Sequence, residues 1–244
     1  LHYSSLQPLN PNEEAPLKLG KRLKHIESMV TSDYKHIWDC CCDHGLLGRA
    51  LLSRLAAPHV HFVDIVPELI NDLRNKLQRF YPDSPSHWHT HCLDSAALPI
   101  EQYDGKHLVI IAGVGGDVVT HLVNTLHRNH AAAAINFLLC PVYHQFKLRQ
   151  RLIQLNFSLI NEVLIEENRR FYEILLVSSP AGSTWDTHSP ISRFGELIWQ
   201  TDSAQQSKMV AQYLDNTLNH YKRMQSANNP EVQDIINGYR RVNI

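Results

Sequence analysis

The chain lacks any apolar run near the ~20 residues that a membrane-spanning helix needs, and no secretory signal pattern opens it. A cytoplasmic protein with no membrane partner is therefore expected. Cysteine is sparse: five residues, three of them consecutive at Cys40, Cys41 and Cys42, give neither a disulfide framework nor paired C-x-x-C zinc spacing. They are expected to be reduced, small and buried. No metal is expected from Cys40, Cys42, Asp43 and His44 either, because adjacent residues of one turn cannot all point inward. Net charge is also lacking, at -1, which argues against a uniformly basic, non-specific nucleic-acid binder but leaves room for a local basic face. Absent too is G-x-G-x-x-G in the first strand-to-helix turn, which excludes an ordinary nicotinamide-dependent oxidoreductase. Histidine, by contrast, is abundant: sixteen residues whose protonation would swing the net charge positive in mild acid. At 244 residues and 43% hydrophobic content, one α/β domain with an appended piece and a real core is the natural size class.

The organising stretch runs from Ile37 to Gly48. It reads as a short strand, a tight turn with Asp39, Asp43 and Gly45, and a helix carried on by Leu47, Leu51, Leu52 and Leu55. Such a corner binds phosphates or nucleosides in doubly wound α/β folds. An acidic turn repels a pyrophosphate but suits a ligand with a positive centre and ribose hydroxyls, and S-adenosylmethionine is one. A second strand, Val60 to Ile65, ends in Asp64 about twenty residues after the first turn, where such folds place a ribose-binding acid. Pro67 opens the next helix. A third strand, His87 to Cys92, ends near Asp94 and Ser95. The fourth, His107 to Ala112, is the continuous apolar run of a buried parallel strand, and it empties into Gly113-Val114-Gly115-Gly116-Asp117. After a helix and a fifth strand stopped by Pro141 comes a helix with Lys147, Arg149 and Arg151 expected at the surface, then two strands joined by a charged turn. Strands alternating with helices before a closing hairpin describe the seven-stranded sheet common among methyltransferases that use S-adenosylmethionine.

Residues 1–15 are polar and aperiodic and read as a flexible leader, 16–178 as the α/β domain, 179–193 as a linker rich in Ser, Pro, Gly and Thr, and 194–244 as a helical, coiled-coil-like arm. The arm's helical region is expected from Phe194, with a last helix from Pro230 to about Arg241. Ahead of the first strand, Leu19, Leu23 and Ile26 recur at helical spacing, with Lys18, Lys21, Arg22, Lys24 and His25 between them. This basic face is either solvated surface or a contact for a polyanion.

These residues together resemble the bacterial tRNA adenine-N1 methyltransferases of the TrmK type. The likeness rests on Arg22-Leu23, Asp39 with Asp43-His44-Gly45, Asp64, Ala112-Gly113-Val114-Gly115-Gly116, Pro141, Leu148-Arg149 and Tyr172-Glu173-Ile174, in order over roughly Leu19 to Met224. Two departures stand out. Cys41 takes the place of the family's first turn glycine, where a side chain would crowd the methionine part of the cofactor or shift the backbone. Val142-Tyr143 follows Pro141 where the family usually has asparagine.

The resemblance implies a Rossmann-like, S-adenosylmethionine-dependent enzyme that methylates N1 of a tRNA adenine, placed by the family in the D-loop region at position twenty-two. It implies cofactor contacts from Asp39, Cys41, Asp43, Gly45, Asp64, Ile65, Asp94, Ser95, Ala112 and Gly113. Gly115 and Gly116 would admit the target base, Tyr143 would stack on it, and Lys21, Arg22 and Lys24 would grip tRNA. Asp43, His44 and Gly113 stand nearest the reaction, although positioning is expected to matter more than any single catalytic group. Each has a plainer rival: Asp39 and Asp43 as turn formers or caps, Asp94 as a loop acid, the glycines as a tight turn, Tyr143 as ordinary surface or core. Two other functions stay open, methylation of another RNA or small molecule, and a non-catalytic module that binds the cofactor. The oligomeric state is not legible.

Overall fold

The computed structural model describes residues 17–182, 189–225 and 230–244. The expected leader and part of the expected linker lie outside the described residues. In chain order the elements are α1 (Lys21–Ser28), β1 (His36–Cys40), α2 (Leu46–Ser53), β2 (His59–Asp64), α3 (Pro67–Phe80), β3 (His87–Cys92), β4 (His107–Ala112), α4 (Gly116–Asn129), β5 (Ile135–Cys140), α5 (Gln145–Gln154), β6 (Ser158–Glu167), β7 (Arg170–Ser178), β8 (Ser189–Pro190), α6 (Ala204–Met224) and α7 (Pro230–Tyr239).

The strands form one sheet in the order β3-β2-β1-β4-β5-β7-β6-β8. The first five in that order are parallel, and β7, β6 and β8 close it antiparallel. Among the described residues eight strands stand in the sheet where seven are expected. The extra one is a two-residue edge pairing of Ser189 and Pro190 with Leu159 and Ser158, too short to carry a periodic signal. Alternation along β1, β4 and β5 sorts their side chains onto two faces. Ile37, Leu108, Ile110 and Leu138 pack with Ile26 and Val30 of the α1 region and Leu47 and Leu51 of α2. Trp38, Val109, Ile111 and Phe137 pack with Val119, Leu122, Val123 and Leu126 of α4 and Leu148 and Leu152 of α5. Phe62 and Val60 meet Ile70, Leu73 and Leu77 of α3. Cys40, Cys42 and Cys140 are buried as expected, whereas Cys92 is exposed and Cys41 half-buried.

The histidines behave otherwise than expected. His36, His59, His87 and His107 open four adjacent strands in register, and Trp38, His61 and His89 form the next tier on the same face. In-register parallel pairing forces these rings side by side. His36 stacks on His59 at 4.6 Å and on His107 at 5.0 Å between ring centres, His61 on Trp38 at 3.8 Å and on His89 at 4.5 Å. Ring nitrogens are shared between neighbours: His36 Nδ1 with His61 Nε2 at 3.1 Å, His61 Nδ1 with His91 Nε2 at 3.0 Å, His59 Nδ1 with His89 Nε2 at 3.2 Å. Burial, then the neighbouring histidines, lowers the pKa of His36 to about 4 and that of His61 further still. His59, His89, His91 and His107 are also lowered, chiefly by burial. His36 and His61 therefore stay neutral in mild acid and take no part in the charge swing that composition alone suggests.

The arm is docked on the sheet through Phe146, Leu164, Ile198, Trp199, Val210, Tyr213, Ile235 and Tyr239. Beneath this contact lies a buried ion cluster, which corrects the expected exposure of Arg149: the residue is fully buried. Its Nε donates to Glu173 Oε2 at 2.7 Å, and its Nη2 lies 2.6 Å from Glu162 Oε2. Tyr213 of α6 donates its hydroxyl to Glu173 Oε1. The backbone N–H groups of Glu196 and Leu197 donate to Glu162 Oε1 at 2.6 and 2.8 Å. Leu148 and Leu152 put one stripe of α5 on the core, and Arg149, next to Leu148, can be buried beside it because two carboxylates meet it. The stretch expected to open the arm as a helix is instead a turn through Gly195 (φ 83°) and one 3-10 turn at Leu197–Trp199. The helix starts at Ala204, where Ser203 accepts the Gln206 N–H as a cap.

Candidate functional site

Because strand order reverses between β1 and β4, the chain leaves their carboxyl ends in opposite directions and opens a crevice there, the place where open α/β sheets bind ligands. Three strand ends feed it with acids. Asp39, at 5% exposure, accepts the Gly48 N–H on Oδ2 at 2.8 Å and so anchors the first turn of α2. Burial raises its pKa to about 7, with Asp64 pushing the same way and the Gly48 bond opposing. Asp64 ties two turns together, accepting the Asp43 N–H on Oδ2 at 3.0 Å and the Val66 N–H on Oδ1 at 3.1 Å. A carboxylate has about four acceptor sites, so two remain for a ligand. Asp94 is exposed and accepts the Ala96 N–H on Oδ1 at 2.8 Å. Next to it Ser95 is buried, its Oγ 3.9 Å from Cys41 Sγ. Ile65 presents an apolar surface beside Asp64, 66% exposed.

The first turn alternates into left-handed backbone at Cys41 (φ 55°), Asp43 (φ 51°) and Gly45 (φ 66°). Gly45 is needed, since a Cβ there would meet Leu73 Cδ1 at 2.7 Å. Cys41 keeps the positive φ suited to glycine and turns its thiol toward Ser95 and the core. His44 and Asp43 face solvent together, His44 Nε2 lying 3.6 Å from Asp43 Oδ1.

At the end of β4, Gly113 (φ 84°) pairs its N–H with the Cys140 carbonyl, and the turns after β4 and β5 are zipped together. Val142 donates to the Val114 carbonyl and Gly116 to the Tyr143 carbonyl. A Cβ on Gly115 would strike the Tyr143 phenol, and one on Gly116 the Tyr143 carbonyl. These two glycines therefore make room for the chain's own Tyr143 turn, which occupies the space expected for a target base. Tyr143 remains 52% exposed at the lip, and His144 Nδ1, 2.8 Å from Asp117 Oδ2, braces the turn against α4. From this lip a groove of about 440 Å³ runs toward the arm, lined by Tyr143, His144, Arg170, Phe171, His220 and Tyr221 among others.

The basic helix divides. Lys21 and Lys24 are exposed, but Arg22 is turned inward and does not share their surface. Its Nε lies 4.0 Å from Glu167 Oε2, its guanidinium carbon sits 4.9 Å from the Tyr172 ring centre, and its Nη1 is 3.7 Å from where a Gly113 Cβ would be. Arg22 lies one turn before the buried Ile26, on the inner edge of the apolar stripe of α1, and so turns inward with it. Glu167 and His144 carried no local pattern that could have placed them at the site. Among the described residues no three His, Cys, Asp or Glu side chains are placed to hold a metal, and no helix is long and apolar enough to cross a membrane.

The family model described as a methyltransferase domain matches residues 19–175. The chain belongs to the methyltransferase domain family. Among curated proteins, the tRNA (adenine(22)-N(1))-methyltransferase of Bacillus subtilis is 26% identical over 221 residues, covering 88% of this chain and 89% of its own. Among solved structures, M. capricolum TrmK in complex with S-adenosyl-homocysteine superposes with a TM-score of 0.68 at 19% identity, over 91% of this chain and 96% of its own. A putative tRNA (m1A22) methyltransferase of Streptococcus pneumoniae, solved with S-adenosyl-L-methionine, gives 0.68 at 18% identity over 91% and 98%. At these identities the structural likeness establishes the fold, and its coverage extends beyond the methyltransferase domain into the arm.

Proposed function

We propose that this methyltransferase transfers a methyl group from S-adenosylmethionine to N1 of an adenine in tRNA, at the position named for its relatives, in the cytoplasm where tRNA is modified. The observation that carries the reading is the switch-point crevice with acids at three successive strand ends, on a chain similar along nearly its whole length to enzymes of that activity. The residues fit such a cofactor. Asp39 and Asp43 would hold its ammonium group, the free acceptor sites of Asp64 would take the ribose hydroxyls, Ile65 would lie against the adenine ring, Asp94 and Ser95 would meet its rim, and the bare backbone of Ala112 and Gly113 would form the floor. Bound there, S-adenosylmethionine supplies a methyl group on an excellent leaving group.

The protein's task is then to position the target and exclude water. Adenine N1 has a free in-plane lone pair, so no general base is required, and the product ring is cationic. Asp43 and the carbonyls of the β4 turn stabilise that developing charge. His44 and Tyr143 stand at the lip where the base arrives, and the base must be unpaired or flipped because N1 lies on its Watson–Crick edge. Lys21, Lys24 and the groove beside the arm hold the RNA.

The test is transfer of labelled methyl to unmodified tRNA followed by nucleoside mass spectrometry. N1-methyladenosine is the expected product. Cofactor binding with label on another RNA, on a small molecule or on nothing would overturn the substrate assignment.

A further inference from the structure

Arg22 is held in the wrong way for a structural salt bridge. Its Nε and Nη1 are buried and have no hydrogen-bond partner, and the guanidinium otherwise meets only the Cys140 thiol, a weak acceptor, beside Glu167 and Tyr172. Glu167 stays at 4.0 Å from Nε, and Glu167 Oε1 is engaged at 3.1 Å by the backbone N–H of Arg22. Tyr172 supports the cation by its ring face, which offers no acceptor. A guanidinium has five donors in a fixed fork suited to a planar anion, and buried donors are rarely left unmet. This fork rests over Gly113, on the floor of the crevice.

The crevice explains which anion is wanted. Its other charged groups at the strand ends, Asp39, Asp43, Asp64 and Asp94, are acids. They suit the ammonium, the ribose and the base of S-adenosylmethionine, but they repel its carboxylate. We propose that Arg22 is the recognition residue for the carboxylate at the amino-acid end of the cofactor, with Glu167 as a positioning residue that holds the first turn of α1 in place. The proposal rests on the reading of the crevice as the S-adenosylmethionine site and reassigns Arg22 from the RNA-binding face to the cofactor.

The test compares S-adenosylmethionine with its decarboxylated form, which lacks only the carboxylate, by titration calorimetry on the full chain. Wild type is expected to bind the intact cofactor at least tenfold more tightly. Arg22→Gln should lower affinity for the intact cofactor to that of the decarboxylated one, while leaving the latter within twofold, and Arg22→Lys should recover part of the loss. Equal losses for both ligands in Arg22→Gln and Arg22→Lys would mean a structural role and overturn the proposal. Unchanged cofactor affinity with weakened tRNA binding would assign Arg22 to an RNA phosphate and overturn it as well. Failure of wild type to bind either ligand would instead sink the underlying cofactor reading.

Discussion

Replacing His61 by Gln should remove one identifiable portion of the protein's acid sensitivity. His61 is fully buried, stacked between Trp38 and His89 and bonded to His36 and His91, and its folded pKa lies far below the ordinary 6.5. The unfolded chain therefore takes up a proton near pH 6.5 that the folded chain refuses. Stability contributed by the neutral ring is fully present above pH 6.5 and is lost as pH falls below it. The slope is about 1.4 kcal/mol per pH unit for one such group, hence about 2 kcal/mol between pH 6.5 and pH 5. His36, buried and held neutral to about pH 4, adds a similar amount. Together they remove about 4 kcal/mol at pH 5, a large part of the 5–15 kcal/mol typical of a domain. Asp39 acts in the opposite sense, because its raised pKa stabilises the folded state as pH falls from 7 toward 3.8, but this is common to wild type and variant and cancels in the difference. Urea unfolding at pH 7, 6 and 5 measures it. His61→Gln should be less stable than wild type at pH 7 and should close the gap by about 2 kcal/mol at pH 5. Parallel loss of stability in the two proteins across that range would refute the argument.

Other perturbations have equally definite outcomes. Cys41 carries a left-handed strain of about 1–2 kcal/mol that glycine would avoid at an entropic cost of about 0.5–1, so Cys41→Gly should be more stable than wild type by about 0–1.5 kcal/mol in thermal melting. Cys41→Val, β-branched at the same φ, should lose about 2 kcal/mol. Tyr213→Phe removes a donor to the buried Glu173 carboxylate and should cost about 1.5–3 kcal/mol, while Arg149→Met, which strands two carboxylates, should cost about 3–5 or prevent folding. If Asp39 receives the cofactor's ammonium, S-adenosylhomocysteine binding near pH 6.5 should release part of a proton, read from calorimetry in buffers of different ionisation heat, and Asp39→Asn should abolish the release. Lys21→Glu with Lys24→Glu should weaken tRNA binding and flatten its salt dependence without changing cofactor affinity; unchanged salt dependence would free that face of any RNA role.

The elements that read clearly in the sequence were those whose signal is local. The apolar run of β4, Pro67 at the start of α3 and the acid at the end of β2 all sit where periodicity and turn chemistry put them. What was hidden depends on partners distant in sequence. Arg149 looks like a surface cation until Glu162 and Glu173 are brought to it, and Arg22 looks like one of three basic neighbours until the helix turns it over Gly113. Gly115 and Gly116 announce a close approach, but not that Tyr143 makes it. The histidines alternate visibly along β2 and β3, yet only parallel register stacks them across strands.

The position of the arm's anchors has a consequence for how this chain can be taken apart. The methyltransferase domain looks separable at the linker, but three of the donors that satisfy its buried carboxylates come from beyond it: the Glu196 and Leu197 amides on Glu162, and the Tyr213 hydroxyl on Glu173. A chain ending at residue 193 would keep two interior carboxylates against a single guanidinium and expose the apolar seat of Trp199, Val210 and Tyr239. The arm is thus a keystone of the catalytic half, and a graft carrying only the cofactor-binding half to another host would have to bring those donors with it.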